Sequence, residues 1–81
     1  MKSRLCDISP GDTAVISDMH AQGSIRRRLR DMGLVEGAEV ECLMKSPLGD
    51  PVACLIKGAV IALRRKDAAA VTVEDAGAWE M

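Results

Sequence analysis

Apolar residues recur at two different spacings along this chain, and the change of spacing marks its elements. Over residues 23–37 (GSIRRRLRDMGLVEG) the spacing is helical. At about 100° per residue, Ile25, Leu29 and Met32 fall within one narrow arc, while Arg26, Arg27, Arg30 and Asp31 point elsewhere. Arg28 lies on the border of the apolar stripe. The pattern predicts one α-helix over about residues 24–32. Ser24 is the expected cap, accepting a bond from a free backbone N–H. Gly33 is placed to end the helix in the left-handed conformation, with Leu34 folding back over the last turn. Burying the three apolar side chains would contribute roughly 5–9 kcal/mol. A helix this short does not persist alone in water, so it must dock on the rest of the chain.

Elsewhere the spacing is that of strands. Residues 13–17 (TAVIS) read as a first strand, and residues 18–23 as a polar linker into the helix. Residues 38–46 (AEVECLMKS) set Val40, Cys42 and Met44 on one face and Glu39 and Glu41 on the other. Leu43 breaks that alternation, which predicts partial cover of the outer face. Residues 52–57 return as a strand with Val52, Cys54 and Ile56 on one face, and Gly58 turns the chain into a further strand over 59–64. Residues 65–70 (RKDAAA) fit one helical turn, and 71–74 (VTVE) a last strand. Near the start, Leu5 and Ile8 have the spacing of a single helical or 3₁₀ turn, followed by a Pro10-Gly11 turn. The stretch 46–51 (SPLGDP) is a loop, with its Pro47, Gly49 and Pro51.

About five short strands and one inserted helix predict a mainly β fold, a small SH3-like barrel with the helix against one open side. Closure would remove the sheet edges that invite aggregation. Residues 1–75 are expected to form one domain and 76–81 a flexible tail.

Composition narrows the function. Hydrophobic residues make up 48% of the 81-residue chain, enough for a core without disulfides. That core must be aliphatic, because Phe and Tyr are absent and Trp occurs once. The lack of aromatic platforms argues against stacking on single-stranded nucleic acid and against a groove for Pro-rich peptides. The net charge of −1 gives no global attraction to nucleic acid or anionic lipid. No apolar run suits a bilayer span or a secretory leader, so a cytoplasmic location is expected, without insertion into a membrane. The three cysteines should then stay reduced.

Candidate chemistry is sparse. Cys6, Cys42, Cys54 and His20 are the soft metal ligands, but they lack the close pairing of a zinc motif. Cys42 and Cys54 sit on adjacent strands of a hairpin and would face each other in one of two registers. They read first as core thiols, and His20 as a solvated side chain. No phosphate-binding glycine loop appears, and the aspartates stand near turns. The basic face of the helix reads as solvated or as a contact for an acidic protein partner. Leu48, at the tip of the 46–51 loop, reads either as a lid on the barrel or as a docking element.

The order R-L-x-x-M-G-L-x-x-G (Arg28, Leu29, Met32, Gly33, Leu34, Gly37), then S-P-L-G-D-P from Ser46, then I-A-L-R ending at Arg64, resembles the FeoA family. The opening L-x-x-I-x-P-G-D from Leu5 to Asp12 is also similar. The resemblance implies an SH3-like barrel and a small cytosolic accessory protein of bacterial ferrous iron uptake. It implies a partner, the FeoB-type membrane transporter with its cytosolic GTP-binding domain, which could recruit the chain to the inner face of the membrane. It implies no catalysis and no required cofactor. Leu29, Met32, Gly33, Leu34, Gly37, Pro47, Gly49 and Pro51 are explicable as structure. Arg28, Leu48, Asp50 and Arg64 are the candidates for partner contact, because a barrel does not need them to close. The alternative is a sensor or carrier of Fe²⁺ or Zn²⁺ that uses the cysteines.

Overall fold

The computed structural model describes residues 2–75. The chain runs β1 (Lys2–Arg4), a 3₁₀ turn (Leu5–Asp7), β2 (Thr13–Met19), α1 (Gly23–Asp31), β3 (Glu39–Lys45), β4 (Val52–Ile56), β5 (Ala59–Leu63), α2 (Arg65–Ala68) and β6 (Val71–Asp75). All six strands join one sheet in the order β1-β6-β2-β3-β4-β5, and every pairing is antiparallel. The expected tail at 76–81 lies outside the described residues.

The sheet wraps around one aliphatic core. Leu5, Ile16, Leu29, Leu34, Val40, Val52, Ile56, Val71 and Val73 are all buried in it. Two irregularities let the strands bend. A bulge between Ile16 and Asp18 shifts the parity of β2, so Ile16 and Met19 are both buried despite their odd spacing. This corrects the expected linker: Asp18 and Met19 belong to the strand. A second bulge, between Cys42 and Met44, accounts for the break at Leu43. Met44 consequently leaves the inner face and is exposed.

Four further expectations are corrected. The helix starts at Gly23, and neither Ser24 nor any other side chain caps it. Only Leu29 of the apolar stripe is fully buried, whereas Ile25 is 38% exposed. The stripe is narrower than it looks in sequence, and its full burial contribution reduces to about 1.5–3 kcal/mol from Leu29 plus a partial share from Met32. The strand count rises to six, because β1 (KSR) has no apolar pattern and is defined by pairing with β6. Finally, among the described residues β1 and β5 remain as edges of the sheet. Lys45, at the end of β3, ties the 3₁₀ turn to the sheet, its Nζ donating to the Cys6 carbonyl at 2.8 Å.

The end of α1 follows the sequence closely. The Gly33 N–H donates to the Arg30 carbonyl and the Leu34 N–H to the Leu29 carbonyl, each at 3.0 Å. This is the paired bonding of a Schellman ending, and the buried side chains of Leu29 and Leu34 supply its apolar contact. Gly33 adopts φ +102°, and a Cβ there would stand 3.2 Å from the Ile56 side chain. The helix therefore docks on β4 through a position that only glycine fills without strain.

Candidate functional site

The start of α2 gathers several of the residues singled out in the sequence. Asp67 is buried, and its carboxylate accepts a bond from Arg28 of α1 at 3.1 Å. The Arg28 side chain is 60% exposed, so one N–H anchors the helix and the remaining donors face solvent. On the other side, Asp50 accepts a bond from the Arg65 backbone N–H at 3.0 Å, tying the 46–51 loop to the first turn of α2. Inside that loop the Gly49 N–H bonds to the Ser46 carbonyl at 2.7 Å. Leu48, at its tip, is 93% exposed.

These bonds settle where the loop stands relative to α1: both are fastened to α2. Between α1, the end of β5 and α2 lies a shallow cleft of about 270 Å³, lined by Arg28, Met32, Ala62, Leu63, Arg64 and Asp67. The structure thus brings Arg28 and Arg64 to one cleft. Asp50 lies at the neighbouring end of α2, and Leu48 two residues before it in the loop. Asp50 and Arg28 are also structural ties, a role the sequence did not reveal. The residue that sequence reasoning missed is Asp67. Its only signal was a carboxylate beside Arg64, Arg65 and Lys66, followed by three alanines.

The candidate ligands are placed differently. Cys42 and Cys54 stand directly opposite each other in the β3–β4 ladder, both with no exposed surface. Burial pushes the Cys42 thiol up, and pushes that of Cys54 up to about 11. Burial thus disfavours the thiolate of both, the form that acts as a nucleophile. Cys6 is buried in the 3₁₀ turn, and its neighbour Asp7 is held below the usual carboxylate range chiefly by its bond to Arg4. His20 is exposed, 3.0 Å from the Thr72 hydroxyl. Among the described residues, no group of three or more His, Cys, Asp and Glu side chains is placed to hold a metal ion. No helix among them is long and apolar enough to cross a membrane.

A bent six-stranded sheet with one packed helix defines a small SH3-like domain, and its distinctive chemistry is an exposed cationic corner. The FeoA domain model matches residues 3–75, and the chain belongs to the FeoA family. It is 39% identical over 71 residues to an Fe(2+) transport protein A/Fe(2+) transporter FeoB fusion protein of Porphyromonas gingivalis. That match takes in 88% of this chain, which spans only 8% of the fusion protein's length. The iron(II) transport protein A of Clostridium thermocellum shares the fold with a TM-score of 0.89 and 36% identity, over 93% of this chain and 46% of that one. A zinc-complexed FeoA from Stenotrophomonas maltophilia, described as a prokaryotic SH3 domain protein, is 34% identical with a TM-score of 0.75. There the match covers 89% of each chain.

Proposed function

We propose that this chain is a non-catalytic accessory domain of ferrous iron uptake that docks on a FeoB-type transporter from the cytoplasmic side. The observation that carries the reading is the fusion relative, in which a segment 39% identical to this chain is part of one polypeptide with FeoB. Covalent linkage of two modules is the limiting case of a high effective concentration, and it suits partners that act together. The cationic corner suits such a contact. Arg28 and Arg64 present unused donors, and Leu48 offers an apolar tip. Arginine is enriched among the few residues on which interface energy concentrates.

In this reading Fe²⁺ is the cargo of the partner, and the domain carries no resident metal. The two opposed thiols would supply two ligands, fewer than the four of a structural zinc site.

The test is a pull-down with the cytosolic portion of the transporter, with and without guanine nucleotide, alongside iron uptake by cells carrying variants. Leu48→Asp and Arg64→Glu should impair both binding and uptake while circular dichroism stays unchanged. Normal binding and uptake by both folded variants would reject these contact residues. Failure of the unaltered chain to bind would reject the docking itself.

A further inference from the structure

The two edges of the sheet are built differently. Edge strand β1 is three residues long and carries the charged Arg4. Short length and charge are the usual guards against unwanted strand pairing. Edge strand β5, AVIAL, has five residues with no charge, proline or glycine. Among the described residues it pairs with β4 alone, which leaves its other side free. The β4–β5 connection is the two-residue turn Lys57-Gly58, with φ +51° and +82°, which makes Ile56 and Ala59 the first bonded pair. Alternation along the ladder then bonds Ile61 and Leu63 to β4 and turns the N–H and C=O of Val60 and Ala62 outward.

The outer face beside this edge is largely apolar as well, with the acidic Glu41 in the row of Leu55 and Val60. Rows across the sheet place Met44, Ala53 and Ala62 together, and Leu55 beside Val60. Met44 and Val60 are 61% and 66% exposed. Charge identifies what could cover them. Exposed Arg64, Arg65 and Lys66 follow β5, and Lys57 precedes it. A second copy pairing antiparallel would bring Lys57 against Arg65, and a parallel copy would set the Arg64–Lys66 clusters side by side. Like charges placed so are unfavourable.

We infer that β5 is a strand-addition site for an extended apolar segment of a partner protein that carries carboxylates where it passes Arg64 and Arg65. The added strand would satisfy the outward groups of Val60 and Ala62 and lay alternate side chains beside them. Its acidic end would reach the cleft where Arg28 keeps donors free. The inference rests on the docking role proposed above and specifies its geometry.

The test uses the full chain, ¹⁵N-labelled, with a short peptide of alternating Thr and Val ending in two aspartates, and a matched peptide ending in two lysines. The acidic peptide should slow amide exchange at Val60 and Ala62 by roughly tenfold or more, and the basic one should bind at least about tenfold more weakly. Ala62→Pro, which removes an N–H that β4 does not use, should abolish the protection with the fold intact. Val60→Lys supplies a second variant should that proline disturb the strand. Equal binding of the two peptides, shifts confined to another face, no binding at millimolar peptide, or a β5-paired homodimer would overturn the proposal. The cytosolic portion of the transporter separates the two readings. Binding without protection at Val60 and Ala62 removes the strand-addition geometry and leaves docking standing. Protection by the acidic peptide without transporter binding does the reverse.

Discussion

Replacing Gly33 by alanine isolates the contact that seats α1 on the sheet. Two costs arise there. The backbone stands at φ +102°, where a residue with a Cβ is disfavoured by roughly 1–2 kcal/mol. The new methyl would also meet the Ile56 Cγ2 at 3.2 Å. Ile56 is buried and β-branched, so it cannot swing aside, and the crowding adds about 1 kcal/mol at the low end of overpacking costs. Gly33→Ala should therefore lose about 2–3 kcal/mol in total. Gly37 provides the control. It has φ +86°, and a methyl placed there would have nothing within 4 Å, so Gly37→Ala carries only the conformational cost of about 1–2 kcal/mol. Urea unfolding followed by far-ultraviolet circular dichroism measures both, and equal slopes for the three proteins would license the comparison. The expected result is a Gly33→Ala loss exceeding that of Gly37→Ala by about 1 kcal/mol. Equal losses would show that the helix does not press on Ile56 as described, and a neutral Gly33→Ala would refute the left-handed ending as well.

Other perturbations bear on the same architecture. Arg28→Ala leaves the buried Asp67 carboxylate without its partner, and should lower stability by about 1–2 kcal/mol after discounting for the exposed guanidinium; a double-mutant cycle with Asp67→Asn that gives no coupling would contradict this. Cys54 has a folded-state thiol raised to about 11 from 9.0, so the unfolded chain releases that proton first. Its contribution is complete below pH ~9 and is lost as the pH rises toward ~11, by about 2–3 kcal/mol, and Cys54→Val should flatten that decline in a pH series of urea melts. Calorimetry with Zn²⁺ or Fe²⁺ under reducing conditions should show no binding tighter than about micromolar; a tighter site would favour the metal-carrier alternative.

The helix was legible because Leu29, Met32, Gly33 and Leu34 obey a local rule, the apolar step followed by a glycine stop. The cysteine pair was legible only to within a register, since the choice between facing and offset depends on how the two strands of the hairpin are joined and bulged. The features that escaped are those made by distant partners. β1 exists because Lys2, Ser3 and Arg4 pair with β6, and nothing in their own chemistry asks for a strand. Ile25 belongs to the helical stripe by angle, yet it stays exposed, which angle alone does not reveal. The Arg28–Asp67 bond spans 39 positions, and an aspartate in a basic stretch looks solvated until the chain closes over it. The same holds for Asp50, whose turn role conceals its bond to the α2 backbone.

The pairing of β1 with β6 sets Lys2 opposite Glu74, so the domain's first and last strands lie side by side at one margin of the sheet. A unit whose entrance and exit adjoin is portable. It can be carried at the end of another polypeptide, or spliced into a loop of one, without stretching its framework. The wrapped sheet brings Arg4 of β1 into one pocket with Arg65, just after β5, so a tether at that end must be led away from the β5 margin. Modular shuffling of such a unit calls for no redesign of its interior, only for a linker long enough to let the free margin meet its target. The same geometry makes the domain a candidate for circular permutation: a short bridge from Asp75 to Lys2, with new ends opened in the 46–51 loop, should preserve the core while releasing the tie between Asp50 and α2.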